Sequence, residues 1–122
     1  MKYMLLVHHD EVTFAERPEA ERNALLQESV GLCNQLAEDD RYFGAAPLHP
    51  TSETKCVQVR DGKRMVTDGP FAEAREQIGG YFLVDAKDVN EAIEIAERIP
   101  GARIGTVEVR RVTEVEGLPE TK

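Results

Sequence analysis

The sequence predicts an α+β fold of split β-α-β type. An antiparallel sheet would carry two helices on one face, with a hairpin inserted between the two halves. Three features carry this expectation. Two stretches with helical spacing of apolar residues, Pro18–Glu38 and Asp88–Ile99, are each flanked by short strand-like runs. Between them, Asp61-Gly62 joins two short strand-like segments, the mark of a tight hairpin. Pro18 opens the first helical stretch and Pro100-Gly101 closes the second. The order β-α-β-hairpin-β-α-β is that of ferredoxin-like folds.

Each element has a local reason. "KYMLLVHH" (Lys2–His9) is an apolar run that reads as a central strand. Tyr3, Leu5 and Val7 alternate with Met4 and Leu6, so both of its faces are apolar. "HDEVTFAER" is polar and reads as irregular. Pro18 suits a first helical turn because its φ is already fixed there. Glu19 and Glu21 follow at the positive end of the helix dipole. Leu25, Leu32, Cys33 and Leu36, with Leu26, Val30 and Ala37 beside them, make one apolar stripe. Asp39-Asp40 oppose the dipole at the other end, so the helix stops near Glu38.

"RYFGAAPLHPTSE" holds two prolines and reads as a short edge strand and a loop. "TKCVQVR" and "KRMVTD" are the arms of the hairpin, and Gly80–Ala86 is a further apolar strand. Asp88 and Glu91 match a capping box ahead of the second helix. Val89, Ala92, Ile93, Ala96 and Ile99 are its expected core stripe. "RIGTVEVRRV" sets Val107 and Val109 against Thr106, Glu108 and Arg110 and is the last strand. A single domain over 1–115 is expected, followed by a polar tail over 116–122.

Composition narrows the function. A chain of 122 residues with 41% hydrophobic and 31% charged residues is expected to be one soluble globular domain. No apolar run approaches the ~18 residues of a membrane span. The N-terminal apolar run is too short for a signal peptide, so a cytoplasmic location is expected. Cys33 and Cys56 are widely separated and read as reduced thiols. The net charge of −8 would repel nucleic-acid phosphates. Two helices cover only one sheet face, and the other face of the first strand is also apolar. A second copy of the chain would bury it, so a homodimer is expected.

Three stretches together carry a family resemblance: "KYMLL", "VRDGKRMVTDGPFAEAREQIGGYFLVDAKDVNEAIEIAERIP" and "ARIGTVEVRRV". The specific set within them is Asp68-Gly69-Pro70-Phe71 with Ala72-Glu73, then Glu76 and Gly79-Gly80-Tyr81. By these residues the chain resembles the YCII-related proteins, and among them the subgroup named after its Asp-Gly-Pro-Phe motif. The resemblance implies a ferredoxin-like fold of the dimeric α/β-barrel type. It implies no settled function. A recurrent His and Asp in the wider family point to an enzyme, and fusions to sigma-factor-like regions point to transcription. The Asp carries over to Asp68. The His has no counterpart in Pro18–Glu38, and His8 and His9 stand where the subgroup more often shows Tyr-Gly.

The candidate catalytic residues are therefore Asp68, as a base or an orienting carboxylate, with His8 or His9 as its imidazole partner. An Asp before Gly-Pro also has a purely architectural use, hydrogen-bonding the amides of its own turn. Pro70, Phe71, Glu73, Tyr81 and Arg110 are the candidate binding residues, around a cleft between the sheet and the Asp68–Glu76 loop. Glu73 and Glu76, if on a helical turn, would pair with Arg110 or Arg111. No nucleotide or flavin motif is present, so neither an organic cofactor nor a metal is expected. The two functional readings are an acid/base enzyme acting on a small molecule and a non-catalytic module binding a small ligand or a protein partner linked to transcription.

Overall fold

The computed structural model describes residues 1–119. A four-stranded antiparallel sheet has the order β2-β5-β1-β6, with β1 at Lys2–His9, β2 at Tyr42–Pro47, β5 at Gln77–Asp85 and β6 at Thr106–Arg111. This is the order that a split β-α-β frame requires, because each helix carries the chain across an intervening strand. The chain is an α+β fold consistent with the ferredoxin-like expectation. The part of the expected polar tail beyond 119 lies outside the described residues.

Alternation along β1 decides what the sheet buries. Leu5 sits between Phe82 of β5 and Val109 of β6, and Tyr3 lies opposite Val84. Tyr3, Leu5, Phe82 and Val84 are buried under the helices. Helix α2 (Glu19–Glu38) contributes Leu32 and Leu36, and helix α3 (Val89–Glu97) contributes Ala92, Ile95 and Ala96. Two short helices touch the same face. Phe14 of α1 (Glu11–Glu16) stacks on His9 at the end of β1, and Gly101 of α4 (Gly101–Ile104) lies beside Val7. Met4 and Leu6 occupy the opposite face and stay half-buried.

Four expectations need correction. "HDEVTFAER" is not irregular: Asp10 caps α1, its carboxylate accepting from the amides of Val12 and Thr13 at 3.1 and 3.2 Å. In α3 Ile95 is buried beside the expected Ala92 and Ala96, while Val89 and Ile93 are exposed at 49% and 42%. Pro100-Gly101 does not only end a helix, since it also opens α4, and β6 starts after Gly105. β5 begins at Gln77, three residues before the expected start.

The inserted hairpin matches its sequence. Strands β3 (Lys55–Arg60) and β4 (Lys63–Asp68) pair only with each other among the described residues. Asp61 and Gly62 both take positive φ, 51° and 74°, as a two-residue turn of this twist demands. The hairpin buries little. Val57 and Val59 are 64% and 62% exposed, and Met65 and Val66 are exposed too.

Candidate functional site

A gap opens beside the half of α2 that precedes Leu32. Its apolar residues Leu25, Leu26 and Val30 share the wall of this gap with Ala45, Ala46, Gly79 and Gly80, which have almost no side chain to offer. The gap is a cavity of about 430 Å³. Phe14, Tyr42, Phe82 and Ile104 complete much of its apolar wall. The stripe expected to be core therefore divides. Leu32 and Leu36 pack, while Leu26 and Val30 stay 46% and 43% exposed along the cavity. One end is held by α4, whose Arg103 forks onto Glu28 of α2 through two hydrogen bonds of 2.8 Å. That pairing holds the Glu28 carboxyl below its ordinary range.

His9 packs against two residues of the cavity wall. Its ring stacks on Phe14, with centroids 4.7 Å apart and planes 21° from parallel. Its other neighbour is the backbone of Gly79, where a methyl group would stand only 2.6 Å from the ring. Gly79 is also the residue that β5 leaves out of its ladder with β1: Val7 faces Gly80 and His8 faces Ile78. Phe14 and Gly79 both line the cavity, so the imidazole is packed between two of its wall residues. Burial pushes the His9 pKa below its ordinary value of 6.5, against the opposing pull of Glu11, Asp10 and Glu76. At neutral pH the ring is an uncharged base, and it has no hydrogen-bond partner among the described residues.

Carboxylates ring this corner, each with a partner. Asp10 caps α1 and also accepts from Arg75 Nε at 3.2 Å. The capping amide of Thr13 first, and then Arg75, lower its pKa. Glu11 accepts from the amide of Thr51 at 3.0 Å, and Glu76 from the Thr106 hydroxyl at 2.9 Å.

The residues singled out in the sequence are spread over three places. His8 lies on the other sheet face, 3.0 Å from Glu108. Arg110 is on the same strand and stands 3.8 Å from Glu108 rather than near Glu73 or Glu76. Asp68 ends β4, with its side chain 84% exposed and paired to Lys55. Its carboxylate meets neither an imidazole nor the amides of its own turn among the described residues. Gly69 instead takes φ 93° and donates its amide to Thr54 at 2.8 Å, closing the base of the hairpin. Pro70 is half-buried, while Glu73 and Phe71 are exposed, Phe71 at 87%. The Phe71–Glu76 segment forms bends, not a helical turn.

Of the singled-out residues, Tyr81 lines the cavity. The cavity lies under α2, and the Asp68–Glu76 loop, beside which a cleft was expected, adds no wall residue to it. Phe14, Arg22, Ser29 and Asn34 were not anticipated as site residues. No group of three His, Cys, Asp or Glu among the described residues is arranged to hold a metal ion. No helix among them is long and apolar enough to cross a membrane.

Fold and cleft define a small α+β protein with an apolar cleft on the helix side of its sheet and a half-buried imidazole packed against two of the cleft's wall residues. The chain belongs to the YCII-related family, whose domain model matches residues 1–116. It is similar to an uncharacterised protein of Rhizobium meliloti (strain 1021), with 29% identity over 112 residues that cover 90% of each chain.

Proposed function

We propose that this protein binds a small, largely apolar molecule in the cleft between α2 and the sheet. One observation carries the reading: a cavity of about 430 Å³ walled by aliphatic and aromatic side chains. Interiors close-pack where nothing else is to be held, and a space of this size lies within the ~300–1,000 Å³ of small-molecule pockets. The test is a thermal-shift screen of small apolar compounds against the wild type and Ser29→Trp. The indole would fill the cleft from α2. A ligand at ~100 times its Kd adds about 2.7 kcal/mol of stability. Shifts are expected in the wild type and not in the variant. No shift in the folded wild type, or equal shifts in both proteins, would refute the reading.

His9 favours an acid/base enzyme over a passive carrier. A half-buried imidazole, packed against two wall residues of the cleft and without a hydrogen-bond partner among the described residues, is the group we assign to proton transfer. Asp68, exposed and paired with Lys55, takes no part in this reading.

The same chain is proposed to act as a homodimer. Met4, Leu6 and Leu83 form an apolar sheet face opposite the helices of the described residues, and Val57, Val59 and Val66 of the hairpin are further exposed apolar residues, with Phe71 just beyond it. Two such sheets face to face give the dimeric α/β-barrel arrangement. Sedimentation at micromolar concentration should give a dimer that Leu6→Arg dissociates. A monomeric wild type refutes it.

A further inference from the structure

The cleft has one charged residue in its wall, Arg22. This is notable in a chain with 23 acidic and 15 basic residues, because no carboxylate shares that wall. Arg22 sits near the start of α2. Its Nε donates to the carbonyl of Arg17 at 3.1 Å, which fixes the direction of the guanidinium. It forms no ion pair among the described residues, whereas its neighbour Arg17 is already paired with Glu21 at 2.5 Å. The side chain is half-buried. A guanidinium partly withdrawn from water gains most from an anion that can take its terminal N–H groups as a fork.

We infer that the ligand of the cleft is an amphipathic monoanion, an apolar body with one carboxylate that Arg22 receives. This inference rests on the cleft being the ligand site and names the class of ligand it takes. Three observations converge on it. The wall is apolar apart from a few side chains, so the body of the ligand must be apolar as well. The single cationic residue sets the charge at one, since a polyphosphate would leave its further charges unpaired in an apolar wall. A protein of net charge −8 repels anions at a distance, so an anionic ligand needs a local cation to hold it. Two further polar groups of the wall, Ser29 and Cys33, carry no charge to compete for this role. The Ser29 hydroxyl donates to Leu25 O at 3.2 Å, and burial pushes the Cys33 thiol above its ordinary 9.0, keeping it neutral.

The experiment uses matched pairs of acid and primary amide, octanoate with octanamide and 4-phenylbutyrate with 4-phenylbutanamide. Binding is followed by amide chemical-shift changes in the wild type, Arg22→Gln and Arg22→Lys. In the wild type at least one acid should bind about ten- to a hundred-fold tighter than its amide, the range of a charge-assisted hydrogen bond. Shifts should fall on Leu25, Ser29, Ala45 and Gly80. Arg22→Gln should bring the acid down to the affinity of the amide and leave the amide unchanged. Arg22→Lys should keep part of the preference, which separates loss of charge from loss of fold. Equal affinity for acid and amide in the wild type overturns the charge assignment and leaves the cleft reading standing. An acid preference that survives Arg22→Gln also overturns it. Absence of cleft shifts with every compound overturns both.

Discussion

Gly79→Ala is the sharpest test of how the imidazole is held. The added methyl would stand 2.6 Å from both Cε1 and Nε2 of His9. Carbon contacts are comfortable at ~3.5–4.0 Å, so the ring must retreat by about 1 Å. It then loses its stacked contact with Phe14, a pair of a kind worth about 0.5–1.5 kcal/mol. Forcing a methyl into a packed site costs about 1–3 kcal/mol. The ring can swing outward and relieve part of this, so the net loss should be about 1–2 kcal/mol. For a domain of this length that is a Tm lower by several degrees. A second signal is independent of stability. A ring moved toward water loses the burial that depresses its pKa, so the His9 Cε1 proton should titrate closer to 6.5 in the variant. In a His9→Ala background the methyl has room, and the penalty of Gly79→Ala should largely vanish. An unchanged Tm with an unchanged His9 titration would refute the packing described here. A penalty that persists without the ring would move its cause to the strand backbone.

Other consequences follow from burial, capping and charge. Leu36, at 1% exposure, should lose about 2–5 kcal/mol on mutation to Ala by denaturant unfolding. Leu26→Ala should lose far less, because Leu26 lies along the cavity and is already 46% exposed. Asp88→Ala should cost about 1 kcal/mol, because the Asp88 carboxylate accepts from the Glu91 amide at 2.9 Å at the head of α3. Asp68→Ala should stay within about 0.5 kcal/mol of the wild type, its carboxylate being exposed and held by Lys55 alone. The folded pKa of His9 lies below its ordinary 6.5, so between the two values the unfolded chain holds more protons. Tm should therefore fall as pH drops through 6.5 and level off below the folded pKa, and His9→Gln should flatten that step. The carboxyls of Asp10 and Glu28, both lowered, act in a separate window below their ordinary 3.8 and 4.5.

The frame was legible because strand alternation and long helices leave periodic traces. Tyr3 and Leu5 against Met4 and Leu6 separated the two faces of β1 correctly, and Pro18 with Asp39-Asp40 bracketed α2. Helix α1 was missed because six residues are too few to show a period, although Asp10 ahead of Glu11 was a capping signal. In α3 two stripes overlap. Ile93 and Ile95 both fall at helical spacing from other apolar residues, and only contact with the sheet selects Ile95. The cleft was illegible for a different reason. Leu25, Leu26 and Val30 carry the same pattern as Leu32 and Leu36, and whether such a stripe packs depends on what faces it. Ala45, Ala46, Gly79 and Gly80 come from two distant strands and meet only in the fold. The position of Asp68 away from the cavity was equally unreadable, because closeness in sequence to a core strand says nothing about where a hairpin of exposed residues directs its base.

The small residues opposite α2 serve two ends at once. Gly79 and Gly80 both line the cavity. At Gly80 even a Cβ would come within 3.0 Å of the Ala46 carbonyl, so the approach of β2 to β5 also depends on its absence. At Gly79 the missing Cβ gives His9 its seat against Phe14, and the bulge there leaves the residue outside the ladder with β1. Alanine or valine at 79 would displace the imidazole, and any side chain at 80 would press on β2. The Gly79-Gly80 pair thus ties the seating of His9 to the pairing of the two strands beside the cleft, whose wall both glycines line.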